Sequence, residues 1–114
     1  MRAIVTGAAM GIGKAVAEKF AGEGAELVLV DINEKALKQT AKDLIAVGTK
    51  VAMVTGSVAD KLTCIQAVKQ AVKSFGGVDC LSHNAGIQRY GSLENTEESL
   101  WDEVINVNLK SAYL

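Results

Sequence analysis

Four short apolar runs alternate along the chain with four stretches of helical period, and this alternation limits the fold more than any other feature. The runs lie at Ala3–Thr6, Glu26–Val30, Val51–Thr55 and Val78–Ser82. Their apolar residues are continuous rather than alternating, which is the pattern of strands covered on both faces. Between them, Ile12, Val16 and Phe20 recur at helical spacing, as do Leu37, Ala41, Leu44 and Ile45, and then Ile65, Val68, Val72 and Phe75. A fourth stripe, Trp101, Val104, Ile105, Asn108 and Ala112, predicts a helix beginning after Thr96. Glu97 and Glu98 would sit in its first turn, where the helix dipole favours carboxylates. Gly24, Gly48 and Gly76-Gly77 follow the first three stripes as C-terminal stops, and Asp60 is placed to cap the third helix. Strand–helix alternation with short connections predicts an α/β fold, a doubly wound parallel sheet with right-handed crossovers. The expected strand order is 3-2-1-4, with its switch point between the first and fourth strands. Ligands of such sheets bind there, outside the carboxyl ends of the strands.

Both connections that reach this point carry unusual sequence. The first strand runs into Thr6-Gly7-Ala8-Ala9-Met10-Gly11-Ile12-Gly13 and then into the first helical stripe. A strand, a glycine turn and a helix start together make a phosphate cradle. Glycine lets the backbone approach a ligand closely, and the uncapped amides and helix dipole face the anion. Asp31 ends the second apolar run, at the offset where an acid meets a ribose hydroxyl pair. The same aspartate is also placed to cap the helix that starts near Glu34. The fourth strand delivers His83-Asn84-Ala85-Gly86 to the same end of the sheet.

Size and charge narrow the possibilities further. The 114 residues suit one domain, residues 1–114, with no proline, linker, repeat or low-complexity tract to mark a boundary. Net charge is −1 with both signs interspersed, so there is no electrostatic footprint for nucleic acid. No apolar run approaches the length of a membrane span, and the opening run breaks at Thr6-Gly7, too soon for a signal-peptide core. Cys64 and Cys80 are not in metal-ligand spacing; two such thiols suit small buried positions in a reducing cytoplasm, with no disulfide and no metal.

Three segments in register give the chain a family resemblance. Thr6 to Gly13 resembles the Thr-Gly-x-x-x-Gly-Ile-Gly signature of the short-chain dehydrogenase/reductase family. Asn84-Ala85-Gly86 resembles its Asn-Asn-Ala-Gly, and Asn106-Val107-Asn108-Leu109 its later Val-Asn-Leu. The resemblance spans the whole chain. It implies a Rossmann-like sheet that binds a nicotinamide dinucleotide, and hydride transfer to or from an alcohol or carbonyl substrate. By this resemblance Gly7, Gly11, Ile12 and Gly13 hold the pyrophosphate and its flanking ribose, and Asp31 takes the adenosine ribose. A carboxylate there repels a 2′-phosphate, and Met10, Ile32 and Asn33 supply no basic residue to attract one, so NAD is expected over NADP. Asn84, Ala85 and Gly86 would line the cofactor. In the family the residue matching Asn108 holds a water on the proton path; the amide also reads as a satisfied core or helix-pairing residue. Homo-oligomers are expected.

The sequence departs from the family pattern in three places. Ser57 stands where the family often has an aspartate that contacts the adenine amino group; Ser57 offers a shorter, uncharged acceptor, with Val58 as an apolar wall or backbone contact. His83 replaces the first asparagine of Asn-Asn-Ala-Gly, and reads either as a general base or, more ordinarily, as a side chain bonded to neighbouring backbone. Tyr90 and Tyr113 are not followed by lysine four residues later, so the family's Tyr-x-x-x-Lys is absent from these residues. The expectation is therefore the NAD-binding half of an oxidoreductase, presented as a fragment that ends within its fourth helix and lacks the proton-transfer groups. A non-catalytic NAD-binding module, or a piece that pairs with a complementary chain, are the other readings. Gln88, Arg89 and Tyr90 would face the substrate mouth, and no substrate can be chosen from them.

Overall fold

The computed structural model describes all 114 residues. Strands β1 (Arg2–Thr6), β2 (Glu26–Asp31), β3 (Val51–Thr55) and β4 (Cys80–His83) alternate with helices α1 (Gly11–Gly22), α2 (Glu34–Ala46), α3 (Lys61–Phe75) and α4 (Glu98–Asn108). All pairings are parallel and the order is β3-β2-β1-β4, the expected doubly wound arrangement.

Side chains of successive strand residues point to opposite faces, and the core divides accordingly. Ala3 and Val5 of β1 join Leu27 and Leu29 of β2 on one face, beneath Ala17 of α1 and Leu37, Ala41 and Leu44 of α2. Ile4, Val28, Val30 and Val54 occupy the other face, beneath Ala67 and Ala71 of α3. Both faces of the central strands are thus covered, which is why their sequences are continuously apolar. Leu27, Leu29 and Leu37 are fully buried, each stabilising the fold by about 1.5–3 kcal/mol.

Helix orientation departs from the apolar stripes. Gly13 and Ala17 are the buried residues of α1, while Ile12 is exposed. In α3 the buried residues are Thr63, Ala67 and Ala71, and Val68 and Val72 are exposed. Ile45 of α2 is exposed as well, its place taken by Thr40. Helices lying close on a sheet need small residues at the line of contact, so the larger neighbours flank it. Trp101 and Ala112 are also exposed, leaving Val104, Ile105 and Val107 as the half-buried side of α4.

The helix ends follow the local sequence. Asp60 caps α3 by accepting from the Leu62 N–H at 3.0 Å, and Gly76 closes it in the left-handed region, φ 84°. Asn33, not Asp31, caps α2, accepting from the Ala36 N–H at 3.1 Å. The fourth helix begins at Glu98 as expected but ends at Asn108, where Leu109 (φ −120°, ψ −58°) turns the chain into a 3₁₀ turn at Lys110–Ala112. Strand β4 starts two residues later than the apolar run predicted, because Asp79 is committed elsewhere. Its carboxylate accepts from the Arg2 backbone N–H at 2.8 Å and from the guanidinium at 2.9 and 2.5 Å. That hydrogen-bonded guanidinium holds the Asp79 carboxyl well below the usual carboxylate range. No helix is long and apolar enough to cross a membrane.

Candidate functional site

The carboxyl ends of β1 and β4 lie side by side, with Thr6 in register with His83. Above them opens a cavity of about 690 Å³. The β1–α1 turn forms one wall through Gly7, Ile12 and Gly13, with Met10 at its lip. Asp31, Ile32 and Asn33 close one end, Gly56, Ser57 and Val58 form the adjoining side, and Asn84, Ala85 and Gly86 form the floor. Nine of the eleven residues that the sequence assigns to the cofactor or the proton path therefore meet in one place. Gly11 and Asn108 do not line the cavity; Asn108 lies behind its floor, against Gly86 and bonded to Ile87.

Each glycine of the turn has its own physical reason. Gly7 lies at φ +65°, and a side chain there would strike the Ala85 backbone nitrogen, 2.9 Å from the added carbon. The β1–α1 turn and the Asn84–Gly86 segment touch at this point. Gly11 lies at φ +58° with nothing within 4 Å of an added carbon, so conformation requires glycine there and the space beside it is free. Gly13 has an ordinary helical backbone, but an added carbon would fall on the Gly7 carbonyl oxygen and lie 3.0 Å from that of Thr6. The absence of a side chain at Gly13 is thus required by the close approach of α1 to its own entry turn, while its backbone still lines the cavity.

The amides at the start of α1 are available to a ligand. The first helical bond is Lys14 N–H to Met10 C=O, 3.2 Å, so Gly11, Ile12 and Gly13 have no carbonyl partner for their N–H groups. Met10 provides no side-chain cap, and the first turn contains no acidic residue to compete.

Asp31 is held by two backbone donors. One carboxylate oxygen accepts from Ala9 N–H in the glycine turn, 2.9 Å, and the other from Asn33 N–H, 2.9 Å. Thr40 reinforces the turn from α2, donating to the Ala9 carbonyl at 3.2 Å. A carboxylate has about four lone-pair sites, and two remain. Ser57 is more occupied: its oxygen accepts from Ala59 N–H at 3.2 Å in a local turn. Val58 is buried against α3, and its carbonyl accepts from the Cys64 thiol at 3.3 Å. Burial, and then nearby Asp60, push that thiol's pKa up.

The floor hangs from one hydroxyl. Thr6 Oγ1 accepts from both Asn84 N–H and Ala85 N–H, each at 3.1 Å. Asn84 turns its amide back on β4, donating to the Ser82 hydroxyl at 2.9 Å and the Ser82 carbonyl at 3.1 Å. Asn108, half of a two-way clamp, accepts from Ile87 N–H at 2.8 Å and donates to Ile87 C=O at 2.9 Å. The residue is exposed rather than buried on the α4 stripe. The His83 ring bonds to side chains rather than backbone, lying 3.3 Å from Thr6 Oγ1 and 3.1 Å from Ser111 Oγ.

Of the residues expected at the mouth, Arg89 lines the cavity and Gln88 and Tyr90 do not; sequence reasoning missed Glu103, Ile87 and Val107. Arg89 and Glu103 face the cavity and pair across its mouth at 3.0 Å. Ile87 and Val107 complete the apolar part. Glu103 lies on α4, one turn before Val107, and no local pattern connects it to Arg89. Tyr90 points into solvent. No group of three or more His, Cys, Asp or Glu side chains is close enough to hold a metal.

Known proteins share this arrangement. The chain is 38% identical over 112 residues to the (2S)-((R)-hydroxy(phenyl)methyl)succinyl-CoA dehydrogenase subunit BbsD of Thauera aromatica, which covers 98% of this chain and 45% of that protein. Its structure is similar to L-sorbose reductase from Gluconobacter frateurii, complexed with NADPH and L-sorbose, with a TM-score of 0.94 and 33% identity. That likeness covers 98% of this chain and 43% of the other. A short chain dehydrogenase/reductase from Burkholderia phymatum in complex with NAD superposes with a TM-score of 0.93 at 36% identity, over 98% of this chain and 40% of the other. The chain spans less than half the length of each of these relatives. Residues 1–114 match the short chain dehydrogenase family throughout, and the chain belongs to that family.

Proposed function

We propose that residues 1–114 are the dinucleotide-binding portion of an oxidoreductase that moves hydride between a nicotinamide cofactor and a small alcohol or carbonyl compound. The observation that carries this reading is the row of unpartnered N–H groups at Gly11, Ile12 and Gly13 beside a cavity that Asp31 closes. The residues fit the group. Space is free beside Gly11, no carboxylate occupies the helix start, and the volume falls within the roughly 300–1,000 Å³ of small-molecule sites. The nicotinamide, when bound, accepts or gives the hydride. The chain's own residues bind and orient: Gly7, Gly11, Ile12 and Gly13 present backbone to the pyrophosphate, and Asn84, Ala85 and Gly86 support the nicotinamide side. Ser57 and Val58 border the adenine. Asn108 fixes Ile87, and its second amide hydrogen and lone pair remain for a water on the proton path.

NAD is the proposed partner rather than NADP. Asp31 is immobilised as an acceptor by Ala9 and Asn33, and its free lone pairs suit ribose hydroxyls. A 2′-phosphate would meet that fixed negative charge, and Met10, Ile32 and Asn33 around it are uncharged. Solved relatives bind one cofactor or the other, as the NADPH and NAD complexes illustrate. Isothermal calorimetry with both cofactors tests the assignment; tighter binding of NADP overturns it. Proton transfer is assigned to residues outside this span, since no tyrosine in it precedes a lysine by four positions. Dehydrogenase turnover by the 114 residues alone is the result that would overturn this division. Homo-oligomeric association is proposed as well, supported by exposed Leu81 on the β4 edge and exposed Trp101 on α4.

A further inference from the structure

We infer that His83 is a positioning residue for the cavity floor, held as its Nε2–H tautomer between the hydroxyls of Thr6 and Ser111, and that a second proton on the ring loosens Asn84 and Ala85 from Thr6. Two separate lines of hydrogen-bond accounting lead to the same tautomer. At one end, Thr6 Oγ1 already accepts two backbone N–H groups, at 3.1 Å each. A hydroxyl has two lone pairs and one hydrogen, so its remaining contact, to His83 Nδ1 at 3.3 Å, must be a donation. His83 Nδ1 is therefore bare. At the other end, Ser111 Oγ donates to the Val107 carbonyl, which can only accept. Its one hydrogen is then spent, so its contact with His83 Nε2 at 3.1 Å requires the proton on the ring.

The result is a chain of hydroxyl, imidazole and hydroxyl that runs from β1 through β4 to the 3₁₀ turn after α4. The neutral ring fits it with every hydrogen and lone pair assigned. A protonated ring does not: its Nδ1–H would face an oxygen whose lone pairs are both taken. Thr6 must then give up Asn84 or Ala85, or the ring must leave. The groups facing the ring are the Thr6 hydroxyl from β1 and the Ser111 hydroxyl from the 3₁₀ turn. No charged side chain pairs with it, since every ion pair in the chain involves arginine or lysine. The inference rests on the cofactor reading only for what the floor supports; the hydrogen-bond chain stands without it.

Ring-nitrogen NMR on the purified chain near neutral pH tests the tautomer, with Nε2 expected protonated and Nδ1 bare. Hydrogen-exchange protection factors for Asn84 and Ala85 then test the release, measured between about pH 8 and about pH 5, where an imidazole changes charge. The parent is expected to lose about tenfold protection at these two amides, the scale of one hydrogen bond, while the β2 amides of Leu27 to Val30 hold. His83→Asn keeps an acceptor near Thr6 but has no second proton to take up, and its protection is expected to stay flat. A proton on Nδ1, unchanged protection in the parent, equal loss throughout β2, or an equal loss in His83→Asn each overturns the inference. Should the variant not fold, the two measurements on the parent decide alone. If the ring and amides behave as stated but NAD does not bind, the cofactor reading falls and this one stands.

Discussion

Substituting alanine at Gly11 and Gly13 separates the ligand cradle from the packing beneath it. Both glycines sit in the first turn of α1, and a sequence argument treats them alike. Alanine at Gly13 gains about 1 kcal/mol of helix propensity. Its methyl, however, would fall on the Gly7 carbonyl oxygen, with the Gly7 carbonyl carbon and Thr6 carbonyl oxygen close behind. All three are backbone atoms, so no rotamer change relieves the clash. Overpacking of this kind costs about 1–3 kcal/mol, and an all-backbone clash belongs at the upper end. The net expectation is a loss of about 2 kcal/mol, or about 10 °C in Tm for a chain of this size. Gly11→Ala meets no atom but must hold φ +58°, at about 1–2 kcal/mol. Its methyl projects into the free space beside the unpartnered amides, so NAD affinity should fall further than stability does. Urea denaturation and calorimetry on the two variants give the comparison. A Gly13→Ala protein at least as stable as the parent would refute the packing argument. A Gly11→Ala protein that binds NAD as well as the parent would refute the placement of the cradle.

Asp31→Ala should shift the NAD-to-NADP affinity ratio towards NADP while leaving the chain folded, because Asn33 and not Asp31 caps α2; a folded variant with an unchanged ratio would count against the ribose assignment. Asn108→Asp keeps the acceptor for Ile87 N–H but loses the donor to Ile87 C=O, so exchange at Gly86 to Gln88 should quicken while the sheet amides stay protected. Asp79 has a folded pKa below its ordinary 3.8, so its contribution to stability is present above that value and drains away as acid lowers the pH through the folded one. Asp79→Asn should therefore flatten the acid limb of the stability curve below about pH 4, and an unchanged limb would show the Arg2 pair to be without consequence. Light scattering should show self-association of the 114-residue chain through its exposed β4 edge and α4, and a stable monomer at high concentration would contradict this.

The parts of the fold legible in sequence were those fixed by residues close together in the chain. Continuous apolar runs gave the strands, and the connection lengths gave the parallel order. Asp60 before α3 and Gly76 after it act within one turn, where side chain and backbone leave few alternatives. Helix facing was harder to read because two kinds of residue suit a contact with a sheet. Hydrophobicity points Val68 and Val72 inward, but close approach selects Ala67 and Ala71, one position away. Periodicity measures the width of an apolar stripe and not the distance at which the helix settles. For the same reason the Gly7 carbonyl that rules out a side chain at Gly13 was not foreseen: glycine spacing is the same whichever body approaches it.

At the candidate site the limit was bond accounting across the sheet. Asp31 could be placed at a strand end, yet its commitment to Ala9 depends on how the first turn folds back over β2. His83 was expected to bond to neighbouring backbone because its actual partners lie far off in sequence, Thr6 at one end of the chain and Ser111 near the other. Both ring nitrogens are engaged by hydroxyls, so the ring bonds to side chains from distant parts of the chain and not, as expected, to neighbouring backbone. What remains is a site whose polar groups divide into two sets. Thr6, Asn84, Asn108 and Ser111 bond to backbone, with His83 bridging the Thr6 and Ser111 hydroxyls, and the α1 amides with the outer lone pairs of Asp31 are left over. Donors at one point and acceptors at another are what the proposed dinucleotide asks of a protein surface, the first for its pyrophosphate and the second for its ribose.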